Sequence, residues 1–152
     1  MTRTLFQTNG GWAAFVLRIV LGIVFFAHGA QLALGWFGGQ VFSESVISFG
    51  KMALPVPVAV LIILAQFLGS LGLLVGLLTR IAALGIFSVM VGAIYMVHLN
   101  IGFFMNWASQ QQGEGYEYHL LVIAIALALM ITGGGNLSLD KAIGTRSGES
   151  KH

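Results

Sequence analysis

Four long stretches without a charged side chain decide what this chain can fold into. They run for 25 residues from Ile19 to Ser43, 28 from Met52 to Thr79, 33 from Ile81 to Gly113 and 22 from Tyr118 to Leu139. A soluble domain needs a mostly polar surface, and stretches of this kind cannot supply one. Only 8% of the 152 residues are Asp, Glu, Lys or Arg, and 57% are hydrophobic. The chain therefore reads as a single-domain, all-α integral membrane protein. It contains no cysteine, which excludes a disulfide framework, thiol chemistry, iron–sulfur ligation and a Cys-based zinc site. A net charge of +2 gives no reason to expect nucleic acid as a partner.

Crossing about 30 Å of hydrocarbon takes roughly 20 helical residues. The stretches place spans at about 12–34, 58–78, 81–99 and 116–132, arranged as a four-helix bundle over 12–135. A tail, 1–11, precedes them, and another, 136–152, follows. With four spans both tails share one side with the turn at Thr79-Arg80. That side carries Arg3, Arg80, Lys141, Arg146 and Lys151, against Lys51 alone in the opposite loops. This bias predicts cytoplasmic termini and a multi-pass protein of the bacterial inner membrane. Trp12, Trp36, Tyr95, Trp107, Tyr116 and Tyr118 fall near span ends, where interfacial aromatics belong. A cleaved signal peptide fits badly, because Arg18 interrupts the first apolar stretch and no small-x-small site closes it. The apolar runs lack the alternation of a membrane β-barrel.

Small residues suggest how the helices pack. Gly69, Gly72 and Gly76 lie on successive turns of the second span, and Gly85, Ser88 and Gly92 form a similar face on the third. The short turn between these spans makes them antiparallel neighbours, so the two faces are expected to meet each other or a second copy of the chain.

The polar residues within the spans are the candidate site. Arg18 lies about 9 Å into the first helix, where a cation must snorkel, pair or line a polar cavity. His28 follows about 15 Å further along, on a face about 80° away. Gln66 sits near the middle of the second span, as interhelical glue or as a ligand contact. His98, Glu114, Glu117 and His119 flank the loop before the fourth span. If that loop folds back, they converge with His28 on a small polar molecule or a quinone headgroup. The competing reading is carboxylates capping a helix start. A metal site and a bis-histidine haem are weaker alternatives, since no ligand spacing signature is present. No P-loop, Rossmann fingerprint or haem-attachment motif occurs.

Several motifs taken in order resemble the DoxX family of small bacterial membrane proteins, over roughly residues 14–141. They are Arg18-x-x-x-Gly22-x-x-Phe25-x-x-His28-Gly29, Gly72-x-x-x-Gly76-Leu-Leu-Thr-Arg80, Gly102-Phe-Phe-Met-Asn-Trp107, Gly113-Glu-Gly-Tyr-Glu-Tyr-His119 and Gly133-Gly-Gly-Asn-Leu-Ser-Leu-Asp140. The resemblance implies a four-helix membrane bundle with cytoplasmic termini. It also implies a link to quinone, thiosulfate or oxidative-stress redox chemistry. Two positions depart from the family pattern: Gln31 replaces a lysine, and Gln66 replaces a glutamate. If that glutamate neutralises Arg18 or moves a proton, this chain does so through Glu117 or not at all.

The leading functional expectation is a membrane subunit or accessory protein for quinone-linked or oxidative-stress redox chemistry. In it Arg18, His28 and Glu117 line a polar pocket, and Gln66 adds a neutral hydrogen bond. No intrinsic cofactor is expected, and quinone is the candidate ligand. The expected partners are the lipid bilayer, a homo-oligomer or membrane complex, and a redox partner protein. A minimal oligomeric transporter and a ligand-free structural or assembly protein are the alternatives. Catalysis by this chain alone is not expected.

Overall fold

Helices occupy the uncharged stretches, because a backbone in hydrocarbon must satisfy its polar groups internally. The computed structural model describes residues 7–9, 11–109 and 112–149. Helix α1 covers Gly11–Leu34, and a single 3-10 turn follows at Trp36–Gly38. Then come α2 at Phe42–Lys51, α3 at Val56–Val75 and α4 at Thr79–Ala93, which continues into a π-helical turn at Ile94–His98. Helices α5, Glu117–Thr132, and α6, Leu139–Glu149, complete the order. No strand is present among the described residues, only an isolated bridge between Leu34 and Val41.

Among the described residues three helices are long and apolar enough to cross a membrane: α1, α3, and α4 with its π turn. Helix α5 is apolar but has 16 residues, a rise of about 24 Å. The chain is thus a membrane helical bundle. Helix α1 packs on α3, α3 on α4 and α4 on α5, while α1 and α5 meet more loosely. Leu21, Phe25, Leu73, Ile86 and Leu129 fill the centre, with Ala14, Ala83 and Ala126 between them. Val16, Val20, Ile23, Leu61, Leu121 and Ile131 point outward. Apolar side chains on both the inside and the outside of a bundle suit a lipid surround.

A close backbone approach joins α1 to α3. A Cβ on Gly29 would lie 2.6 Å from the backbone N and Cα of Phe67, and one on Gly22 would lie 3.0 Å from the Leu74 side chain. Between α3 and α4 the small faces meet in part: Gly69 and Gly72 lie against Ala82, and Gly85 lies against Ala65. Gly92 has nothing within 4 Å. Gly76 belongs to no helix face, because it is the left-handed residue, φ 70°, that ends α3.

Two helices arise where loops or tails were expected. Helix α2 lies in the 35–54 segment, and its Glu44 in the first turn and Lys51 in the last complement the helix dipole. Helix α6 begins inside the expected C-terminal tail, where the Ser138 hydroxyl accepts the Lys141 amide at 3.2 Å as an N-cap. The segments around Asn9, Gly11, Thr132 and Asn136 meet at one end of the bundle, called here the terminal end. There the Asn9 amide donates to the Thr132 carbonyl at 2.9 Å, and that of Asn136 to Gly11 at 3.0 Å. Arg3 and Lys151, two of the basic residues in the charge count, lie outside the described residues.

Candidate functional site

Helix α3 ends in a Schellman turn: the Leu77 amide reaches the Gly72 carbonyl at 2.8 Å, and that of Gly76 reaches Leu73 at 3.2 Å. The carbonyl of Leu74 still needs a donor, that of Leu73 can accept a second one, and the negative end of the helix dipole favours a cation there. Arg18 supplies both needs. Its side chain is 1% exposed. Nη1 donates to Leu73 and Leu74 at 2.7 Å each, Nε to Gly134 at 2.9 Å, and Nη2 to Asn136 at 3.3 Å and Leu137 at 2.6 Å. A guanidinium has five N–H donors, and every one is taken. The Phe15 ring lies 5.2 Å from Cζ. Arg18 neither snorkels nor faces an open pocket; it ties the end of α3 to the loop after α5.

Asp140 makes the mirror-image contact. Helix α4 begins immediately after a left-handed Leu78, φ 50°, so its first amides need acceptors. The Asp140 carboxylate takes the Leu78 amide at 2.7 Å and the Thr79 amide at 2.9 Å, and Asp140 is itself 1% exposed. Its own amide donates to Gly76 at 2.9 Å. A cation on one helix's C-terminus and an anion on the next helix's N-terminus thus bracket one short turn. Gly76 admits this arrangement, since a Cβ there would lie 2.5 Å from Ser138 Cβ and 3.0 Å from Arg18 Cζ. Arg80 repeats the capping role for α5: it donates to the Met130 carbonyl, and to Gln7 at 3.1 Å.

This knot corrects the expected pocket of Arg18, His28 and Glu117. Arg18 bonds to the loop after α5, while Glu117 is the first residue of α5, about 24 Å away along its axis. The charge acting on Arg18 is that of Asp140. Sequence reasoning missed Asp140; its signal was the Gly133–Asp140 motif, whose partner turn lies some sixty residues earlier.

At the other, distal end the π turn matters. The Leu99 amide bonds to Ile94 at 2.8 Å, an i→i+5 step that rotates the end of α4 and carries His98 toward α5. The ring centroids of His98 and His119 are 4.1 Å apart. His98 Nδ1 lies 2.7 Å from the Glu114 carbonyl; a carbonyl only accepts, so Nδ1 carries the proton and Nε2 is left as the acceptor in the neutral ring. His119 is buried, and its Nδ1 has no hydrogen-bond partner among the described residues. Glu114 and Glu117 accept the backbone amides of Asn106 at 2.8 Å and Met105 at 3.1 Å. The two carboxylates therefore shape the loop. His28 stays apart: it is exposed on α1, with Phe25 as its ring neighbour at 6.2 Å. Gln31 donates to the Phe37 carbonyl at 3.3 Å and steadies the 3-10 turn. Among the described residues no three His, Asp or Glu side chains are grouped to hold a metal.

Gln66 occupies the third environment. It is the eleventh of the 20 residues of α3 and is 8% exposed. Its amide makes no hydrogen bond among the described residues. It lines a cleft of about 500 Å³ between α3 and α4, roofed at the distal end by Phe49 and Met52 around the end of α2. Apart from Gln66 and Ser88 the walls are apolar, and the Ser88 hydroxyl is spent on the Leu84 carbonyl at 2.9 Å. The structure thus places the candidate residues in three separate settings: a closed ionic knot, a histidine pair beside a loop, and an apolar cleft with one free amide.

Comparison with known proteins fits this architecture. The family model described as DoxX matches residues 13–99, which include Arg18, Gln66, Gly76 and the π turn. The chain is 34% identical over 125 residues to the Bacillus subtilis (strain 168) protein named "Putative oxidoreductase CatD", with 82% of each chain covered. No solved structure matches. With its family model covering more than half the chain and a relative similar over most of its length, this membrane protein belongs to the DoxX family.

Proposed function

We propose that the protein is a small inner-membrane subunit or accessory protein for quinone-linked or oxidative-stress redox chemistry, with its termini in the cytoplasm. The observation that carries this reading is the unpaired Gln66 amide in a lipid-level apolar cleft. The chain has no cysteine, and both intramembrane arginines are used to cap helices. What it offers a ligand is a neutral hydrogen bond and shape. A bound quinone itself accepts the two electrons and two protons of its reduction; the electrons come from a partner protein, in a membrane complex or homo-oligomer. The relative's name, an oxidoreductase, supports the same class of chemistry.

The test is the quinone content of protein purified in mild detergent, measured by mass spectrometry against an unrelated bundle protein prepared identically. Quinone enrichment in the wild type, reduced in Gln66→Leu, is expected. Equal quinone in both proteins would overturn the reading. One observation favours the structural alternative for a single residue: Arg18 has no donor left for a ligand.

A further inference from the structure

Gln66 lies about 15 Å from either end of α3, near the bilayer midplane. Lipid acyl chains reach it, but they carry no hydrogen-bonding atoms there, and phospholipid ester groups sit near the interfaces. A buried amide left unpaired costs free energy. Its natural occupant is a molecule that brings a carbonyl oxygen to mid-membrane depth.

The cleft does not end at Gln66. Leu61, Ala65 and Gly85 are shared with a second groove of about 570 Å³, which follows the α3–α4 seam toward the terminal end past Leu68 and Gly72 to Val75. From Gln66 to Val75 is nine residues, about 14 Å of helix. This second groove has no side chain that is free to hydrogen-bond. The two spaces differ in character: a roofed chamber with one free amide, and an open apolar channel leading from it.

We infer that the α3–α4 seam is a single site for a tailed quinone. The ring occupies the chamber, one ring carbonyl accepts the Gln66 Nε2–H, and the alkyl or isoprenoid tail lies in the Leu68–Val75 groove. This rests on the quinone-linked reading above and sharpens it: the site selects membrane-anchored quinones over small tail-less ones. Selection comes from packing, since moving a tail from lipid to groove gains no hydrophobic free energy.

The experiment uses the full chain in detergent micelles and reads thermal stabilisation against the mole fraction of quinone in the micelle, which yields an apparent Kd and cancels the tail's own partitioning. The probes are decyl-substituted dimethoxy-methyl-benzoquinone and tail-less tetramethyl-benzoquinone. The decyl probe should bind several-fold more tightly. Gln66→Leu should weaken both about three- to ten-fold, as expected for one neutral hydrogen bond. Leu68→Trp, at a lipid-facing position 54% exposed, should block the groove and reduce the decyl probe to the tail-less value. Val16→Trp, on the lipid face of α1, should change neither. If the probes bind equally and Leu68→Trp is silent, the tail assignment fails while the quinone-linked function stands. If neither probe stabilises the protein, both fail. If Gln66→Leu instead converts a dimer into monomers, the occupant is a second copy of the chain, and the inference is overturned.

Discussion

Replacing Arg18 separates a capping ion from a snorkelling one. Arg18→Met keeps most of the apolar stem and removes all five donors. The enclosed Gly134 acceptor is left unpaired at a cost of about 1–3 kcal/mol, while the enclosed Leu73 carbonyl keeps only the Gly76 amide. The acceptors of Leu74, Asn136 and Leu137 are partly exposed, so water recovers most of their loss. Asp140 contacts backbone amides rather than the guanidinium, so its loss of a nearby cation adds little. The expected total is about 2–4 kcal/mol, or roughly 10 °C in Tm for a chain of this size. Arg18→Lys is the sharper variant. An ammonium has three donors, so at least two of the five carbonyls remain unpaired and a loss of about 1–3 kcal/mol is expected. A snorkelling arginine would tolerate lysine without penalty. Thermal unfolding in mild detergent, followed by helical circular dichroism, measures both, with membrane abundance as the cellular counterpart. If both variants unfold within about 1 kcal/mol of the wild type, the capping argument is wrong.

Three further outcomes follow from the same geometry. Asp140→Asn should lose about 1–3 kcal/mol, because an amide replaces a charge-assisted acceptor of two backbone amides; combined with Arg18→Met the losses should be less than additive, as a double-mutant cycle in unfolding free energy will show. Gly76→Ala should cost at least about 2 kcal/mol, since it adds left-handed strain to a clash with Ser138, and wild-type stability in that variant would contradict the turn geometry. Gln66→Glu should lower membrane abundance at neutral pH by burying a carboxylate at mid-membrane depth, whereas unchanged abundance would mean that a cation or water reaches the cleft.

Much of the bundle was legible because membrane helices obey a simple rule: charges stay out and backbone bonds stay local. The spans drawn from the uncharged gaps, 12–34, 58–78, 81–99 and 116–132, therefore lie within about three residues of α1, α3, α4 with its π turn and α5. Arg18 was legible as an anomaly for the same reason. Its partner set was not, because its acceptors are backbone carbonyls, which leave no trace in residue identity. Asp140 lay hidden in a polar tail, 122 positions from Arg18; only the folded chain returns it to the α3–α4 turn. The π turn at Ile94–His98 had no sequence marker either, yet it decides that His98 meets His119. Gly22 and Gly29 were visible as motif glycines, but their partner helix was α3, and only tertiary packing could say so.

Neutrality at Gln66 gains a physical meaning from the position of the knot. Arg18 bonds to α3 at Leu73 and Leu74, seven and eight residues beyond Gln66, or about 11 Å along the axis. A carboxylate at position 66 would not touch the guanidinium, and the guanidinium has no free donor to offer it. The guanidinium is already satisfied by the carbonyl end of α3 and by the carbonyls of the loop after α5. Neutrality at 66 therefore leaves the knot intact and changes only the cleft. An amide donates a hydrogen bond at any pH but takes up no proton, so proton exchange with a ligand in the cleft must come from elsewhere. The chain places Met96 and Val97 in the cleft wall and His98, the next residue, on the other side of the same π turn with His119. The histidine pair therefore stands one residue behind the cleft wall, while the terminal-end ions are committed to holding the helices together.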